Sequence, residues 1–271
     1  MPADLLALAP HLTDRDLMIA SWLVRHDVLT TEQIAQAFFT SPITARHRLV
    51  QLLRLHWLSR FHRPLPGGGF TPWQWVIGPL GAAWHAAANG EDPPTLTALR
   101  RRWARLAASP TLNHRLGCHQ FFIDLHSPGR AGTSGARLQW WLSANESAEA
   151  FLQRIHPDGA GRYGTVRFFA EHDTGSESIS QLVQKLDAYA SLRADGGPGW
   201  PVLFHLPTER REVLVHLALD RARLPVPLAT CVHGQPPTGQ VWRLAQAGPQ
   251  RRHLADLPCD PATNTIYGAG L

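Results

Sequence analysis

The hydrophobic period of this chain changes partway along its 271 residues, and the change narrows the architectures open to it. Up to about residue 126 the apolar residues recur mostly at helical spacing. Beyond that point RLQWWLS, GTVRFFAEHD and WPVLFHLP are rich in β-branched or aromatic residues and bounded by Gly and Pro, which marks strands. Between the last two lies SISQLVQKLDAYASLRAD, an amphipathic helix with Ile179, Leu182, Val183, Leu186 and Tyr189 on its apolar side. RREVLVHLALDRARL reads as one more helix. Helix, strands, helix, strand, helix is the order of a mixed α/β domain.

The first part reads as three helices followed by a hairpin. Leu17, Ile19, Ala20 and Leu23 set a helical stripe in DRDLMIASWLVRHD. Thr30 or Thr31 caps TTEQIAQAFF, with Glu32 and Gln33 in its first turn. The turn Thr40-Ser41-Pro42 leads into ITARHRLVQLLRLHW, whose Leu49, Leu52, Leu53 and Leu58 face a core. Thr44, Arg46, His47, Arg48 and Gln51 are left to face outward. A second helix that is basic and follows a tight turn is the helix-turn-helix layout. LSRFHRPLP, GGG and FTPWQWVIG then make a β-hairpin, placed where the wing of a winged helix stands. The glycines form its tip, because a phosphate loop would need a GKS or GKT ending after a strand. PLGAAWHAAANG adds a helix stopped by Gly90.

The net charge is +5, and its excess is clustered. Residues 43–64 hold Arg46, Arg48, Arg54, Arg60 and Arg63 without an acid, and residues 99–113 hold Arg100, Arg101, Arg102 and Arg105, again without one. Such runs suit a polyanion, and duplex DNA is the expected partner; a solvated basic face is the simpler alternative. Pro93-Pro94 and Ser109-Pro110 bound a basic join. The expected organisation is a winged helix over 1–90, a linker over 91–112, an α/β domain over 113–235 and a Pro/Gly-rich tail over 236–271. Three scattered cysteines without a CxxC argue for a reducing compartment. The opening MPADLLALAP lacks the pattern of a signal peptide, and no apolar run of about 18 residues is present. A cytoplasmic location without membrane contact is expected.

One stretch carries the residue types of phosphodiester chemistry. Pro157-Asp158-Gly159 precedes GTVRFFAEHD, which ends Glu171-His172-Asp173. Asp158 at one strand's start and Glu171 near the next strand's end can meet on adjacent strands. Mg²⁺ takes oxygen ligands, one or two of them protein carboxylates. Glu171 and Asp173 share a face by alternation, with His172 on the other. A lysine near the attacking water would orient it and offset developing charge. Lys185 is the sole lysine of the chain, against 25 arginines. An ammonium is a compact point charge, whereas guanidinium is broad and planar, so Lys185 is a candidate for a role arginine cannot take. His114 and Cys118, four apart, have no second pair in reach for zinc and read as core residues.

The order PD, strand, ExD, helix with KxxxY (Lys185 to Tyr189) resembles the PD-(D/E)XK nuclease superfamily. There the third position of ExK is normally lysine, where this chain has Asp173; some members carry the lysine on the following helix, where Lys185 lies. The Lys185–Tyr189 pair resembles the helix motif of RecB-like nucleases. Over roughly residues 12–220 the chain is similar to the replication-relaxation family of actinobacterial plasmids and integrated elements. The resemblance rests on LTDRDLMIASWLVRHDVLTTEQIA, IGPLGAAW, LNHRLGCHQFFIDL, and PDG with FFAEHDTGSESISQLVQKLDAY.

That resemblance implies a DNA-binding protein of plasmid or mobile-element replication or transfer, with replication or conjugation proteins as candidate partners and oligomers open to it. Asp158, Glu171, Asp173 and Lys185 would be its catalytic set. Asp158 and Glu171 would hold Mg²⁺ or Mn²⁺ if the nuclease-like domain is active; otherwise no cofactor is implied. Thr44, Arg46, His47, Arg48, Gln51, Arg60, Arg63, Arg100, Arg101 and Arg102 are the expected DNA contacts. Two further readings stand beside this one: an active metal-dependent nickase or endonuclease, and a transcriptional repressor whose second domain dimerises. At each site a plain structural role also remains open, with Asp173 capping the next helix and Lys185 pairing with Glu171 or Asp173.

Overall fold

A computed structural model describes residues 8–127, 136–220, 222, 224 and 226–259. The described residues fall into two compact units divided between His119 and Gln120. Both are mixed helix and strand, so the chain is a mixed α/β protein.

The first unit is built on local signals that leave little freedom at the helix starts. Helix α1 (Asp14–His26) begins in a capping box between Thr13 and Asp16. Strand β1 (Leu29–Thr30) runs straight into α2 (Thr31–Phe38), where Thr30 accepts from Gln33 N–H and the Gln33 side chain accepts from Thr30 N–H. Helix α3 (Pro42–Arg54) is capped by Ser41, with proline in its first turn, where a missing N–H is harmless. Strands β2 (Leu58–Phe61) and β3 (Gln74–Ile77) pair antiparallel, Leu58 opposite Ile77, and β1 adds to the far side of β3. The hairpin tip turns at Gly68 and Gly69, whose φ values of 89° and 77° only glycine adopts without strain. Helices α4 (Pro79–Ala88) and α5 (Leu96–Ala108) complete the unit, together with the first half of α6 (Leu112–His126). Its core holds Ile19, Leu23, Leu49, Leu52 and Trp57 without exposure, and the Trp57 indole donates to the Asp16 carbonyl at 3.2 Å.

The second unit is a sheet with strand order β10-β9-β8-β7-β6-β5-β4. Strands β4 (Leu138–Ser143), β5 (Gly159–Tyr163) and β6 (Val166–His172) form an antiparallel meander, with α7 (Ala144–Ala150) between the first two. Helix α8 (Ile179–Ala194) then leads to β7 (Val202–Leu206), and α9 (Glu209–Leu219) leads to β8 (Leu228–Val232). β6, β7 and β8 are parallel neighbours, a pairing that needs crossover connections, here supplied by α8 and α9. β9 (Trp242–Leu244) and β10 (Arg251–Arg252) close the sheet antiparallel. They lie in the region read from sequence as a Pro/Gly-rich tail, whose residues 260–271 are outside the described ones.

Alternation along the strands sends one set of side chains to α8 and α9. Phe169, Phe204, Val202 and Leu206 pack there with Leu182, Leu186, Tyr189 and Leu192. The opposite set faces the second half of α6, where Phe122 stacks on Trp141 at 4.7 Å and on Phe168 at 5.9 Å. Gly159 and Gly161 of β5 lie beneath this aromatic layer. A Cβ on Gly161 would stand 2.8 Å from Phe168 and 3.0 Å from Phe122, so the strand must be bare there.

Candidate functional site

In the first unit the exposed side of α3 is the one expected to meet DNA. Ala45, Leu49 and Leu52 are buried, which turns Thr44, Arg46, His47 and Gln51 to solvent. Arg48 differs from the outward-facing expectation. Its guanidinium binds the buried Asp16 carboxylate through Nε at 3.0 Å and Nη2 at 2.5 Å, and also donates to the His11 carbonyl and to Gln51. Burial works against the Asp16 charge, but the hydrogen bonds from Arg48 and Thr13 prevail and hold its carboxyl below the usual range. Helical spacing alone could not reveal this partner, which lies 32 residues away.

The remaining basic residues divide in the same way. Arg100 and Arg101 are exposed on α5, whereas Arg102 is paired with Asp27, which also receives Arg115. Arg63 bonds Asn113. Arg60 lies 3.8 Å over the Trp73 ring and opens a stacked series that sequence reading passed over. His62 is sandwiched between Trp73 at 4.2 Å and Phe70 at 4.0 Å, all nearly parallel, and Phe70 is 60% exposed.

In the second unit the acids and the lysine meet at the end of β6. Glu171 is 3% exposed and points to α8, where Lys185 and Tyr189 lie one turn apart on the same face. Lys185 Nζ donates to Glu171 Oε2 at 3.2 Å, and Tyr189 O–H donates to Oε1 at 2.6 Å. Lys185 also pairs with Glu177 at 3.1 Å. Asp158 precedes Gly159, the register partner of Ala170, so it arrives beside Glu171; its Oδ2 accepts the His172 N–H at 2.7 Å.

Burial pushes the Glu171 carboxyl up to about 7, and the nearby Asp158 charge adds to this against the opposing pull of Lys185 and Tyr189. Burial disfavours the Lys185 ammonium, but Glu171, Glu177 and Asp158 outweigh it and raise its pKa. Tyr189 is raised as well, by burial and by Glu171. Three carboxyls, those of Glu171, Glu177 and Asp158, therefore act on one ammonium group. Asp173 has a separate partner. Arg211 of α9 takes both its oxygens and the Glu177 carbonyl, and the Gly175 N–H bonds Oδ1 at 2.8 Å. It anchors the turn between β6 and α8 rather than approaching Lys185.

The other face of the same strand ends carries three histidines that no sequence motif marked. His172 ends β6, His205 is its register partner on β7, and His233 follows β8. Burial, with His233 and His172 beside it, pushes the His205 imidazole down to about 2, so it is uncharged at neutral pH.

A mixed α/β protein with a buried acid held by a lysine and a tyrosine at the sheet's end is the class that these features define. The chain belongs to the replication-relaxation family, whose model matches residues 21–203. No curated protein and no solved structure matches it. Among the described residues, no helix is long and apolar enough to cross a membrane.

Proposed function

We propose that this protein binds duplex DNA through a winged helix in its first unit and acts in the cytoplasm in plasmid or mobile-element replication or transfer. The observation that carries the reading is the exposed face of α3, where Thr44, Arg46, His47 and Gln51 stand clear of a buried Ala45-Leu49-Leu52 stripe. Side chains of this kind on the second helix of a helix-turn-helix reach base edges and phosphates in the major groove. Arg60 on the hairpin, with Arg100 and Arg101 on α5, would meet the phosphate backbone, which fixes register without reading sequence. Replication or conjugation proteins are the fitting partners for such a factor.

The second reading, a metal-dependent nickase on a PD-(D/E)XK-like second unit, is favoured by the Asp158–Glu171–Lys185–Tyr189 group. A buried Glu171 carboxyl whose ionisation burial and the neighbouring Asp158 oppose fits a hard divalent cation, and a carboxylate oxygen that accepts one hydrogen bond keeps a second lone pair for a ligand. Asp158 and Glu171 would hold Mg²⁺ or Mn²⁺, which would supply charge neutralisation at the phosphate and an activated water. Tyr189 fixes the Glu171 carboxyl, and Lys185 places a compact positive charge beside it. Asp173, bound by Arg211, serves the turn.

Supercoiled plasmid incubated with the protein separates the two readings by gel mobility, with and without Mg²⁺ or Mn²⁺. Retarded but intact plasmid supports DNA binding alone, and conversion to the relaxed form that Glu171→Gln abolishes supports the nickase. Unretarded plasmid at low salt would refute both.

A further inference from the structure

We propose that His172, His205 and His233 form a second metal site, one that takes a borderline transition cation such as Zn²⁺ rather than Mg²⁺. The three sit at the C-terminal ends of β6, β7 and β8, on the sheet face opposite Glu171. That face is identified by packing as well as by alternation. Phe121 of α6 lies 5.4 Å from the His205 ring, whereas Phe204 and Phe169 pack toward α8. Ligands of α/β sheets bind outside the carboxyl ends of the parallel strands, and the three rings lie at those ends.

The geometry is close to that of a ligand set. One nitrogen from each ring lies within 4.8 Å of the others. His172 Nδ1 and His205 Nδ1 are 3.3 Å apart. Nitrogens bound tetrahedrally to zinc at their usual bond length lie about 3.3 Å from one another, so this pair already spans one edge of the polyhedron. The His172 and His233 rings are stacked 4.5 Å apart within 5° of parallel, and side-chain rotations that draw the nitrogens together by at most about 1.5 Å would close the widest edge. All three residues are half-buried, which leaves room for a water or anion as fourth ligand.

The hydrogen bonds also suit ligation. His233 Nε2 lies 3.0 Å from the His205 carbonyl, which fixes the proton on that nitrogen and leaves the Nδ1 lone pair available. His205 is uncharged and holds a single ring proton, and its Nε2 is buried without a hydrogen-bond partner among the described residues. With the proton on Nδ1, the Nε2 lone pair is buried without a donor. With the proton on Nε2, that N–H is buried without an acceptor and the Nδ1 lone pair faces His172 Nδ1 at 3.3 Å, where a cation would take both lone pairs once His172 carries its own proton on Nε2. Imidazole nitrogens select Zn²⁺, Co²⁺ or Ni²⁺ over hard cations, which keeps this site apart from the carboxylates on the other face.

The test uses untagged full-length protein and Co²⁺ as the probe, read by visible d–d absorption. Wild type should bind one equivalent with the intense bands of a tetrahedral site, Zn²⁺ should displace it, and a large excess of Mg²⁺ should not. His172→Gln and His233→Gln should each weaken Co²⁺ binding by about tenfold or more. His233 lies beyond the last residue of β8, so its variant keeps the sheet intact; a circular-dichroism melt of each variant verifies folding. Absence of a one-equivalent band in wild type, displacement by Mg²⁺, or full binding by folded His233→Gln would overturn the site and leave a hydrogen-bonded histidine trio.

Discussion

Replacing Glu171 with Gln tests the electrostatics of the second unit through its pH dependence. In the native state burial and Asp158 push the Glu171 carboxyl from 4.5 up to about 7. A displacement of that size corresponds to about 3 kcal/mol between the two protonation states. The native protein holds this proton over a range in which the unfolded chain has released it. The contribution to stability is therefore complete below about pH 4.5 and is lost as pH rises through about 7. Glu171→Gln cannot titrate, yet keeps a side chain that Tyr189 and Lys185 can still reach. Urea unfolding of both proteins from pH 4.5 to 8 should show the variant gaining about 3 kcal/mol on wild type across that range. Groups that titrate alike in the two proteins cancel in the difference. Parallel stability curves would refute the reasoning, because they would mean that Glu171 is ionised throughout in both states.

Arg48→Ala should destabilise the first unit by about 2–3 kcal/mol, since it strands the buried Asp16 carboxylate, whereas Arg46→Ala should stay within about 0.5 kcal/mol; denaturant titration distinguishes them. Gly161→Ala should lower stability by about 1–3 kcal/mol, read from the melting of the second unit, because the new Cβ collides with Phe168 and Phe122. Mg²⁺ should raise the melting temperature of wild type more than that of Lys185→Arg or Glu171→Gln, because a ligand of the native state stabilises in proportion to its occupancy. Equal shifts in all three would remove Lys185 and Glu171 from the metal site.

Much of the fold was written in short-range patterns. Thr30 with Gln33, Ser41 with Pro42, and the glycines between two apolar runs each act within a few residues, so α2, α3 and the hairpin could be read directly. The strands β8 to β10 could not. Leu228–Val232 is buried on both faces and shows no alternation, while β9 and β10 are two or three residues long and exist only through pairing along the sheet. The helix α7 was missed because seven residues carry too little periodicity. At the candidate sites, Asp158, Glu171 and Lys185 lay in order along a motif, and adjacent strands with one helix face were enough to bring them together. Arg48 and Asp173 needed knowledge of Asp16 and Arg211, partners 32 and 38 residues away that no period encodes. The histidine trio draws on three strands and leaves no spacing signature.

Duplex binding as a function of salt addresses the central claim most directly. Fluorescence anisotropy of a labelled duplex with the full chain should give an affinity that falls steeply as salt rises, through release of counterions from the phosphates. Arg46→Ala combined with Arg60→Ala, one residue on α3 and one on the hairpin, should weaken binding. The slope of log affinity against log salt should drop by about one for each phosphate that the variant no longer neutralises. A chain that fails to bind duplex at low salt, or a double variant with wild-type affinity and slope, would contradict the winged-helix account.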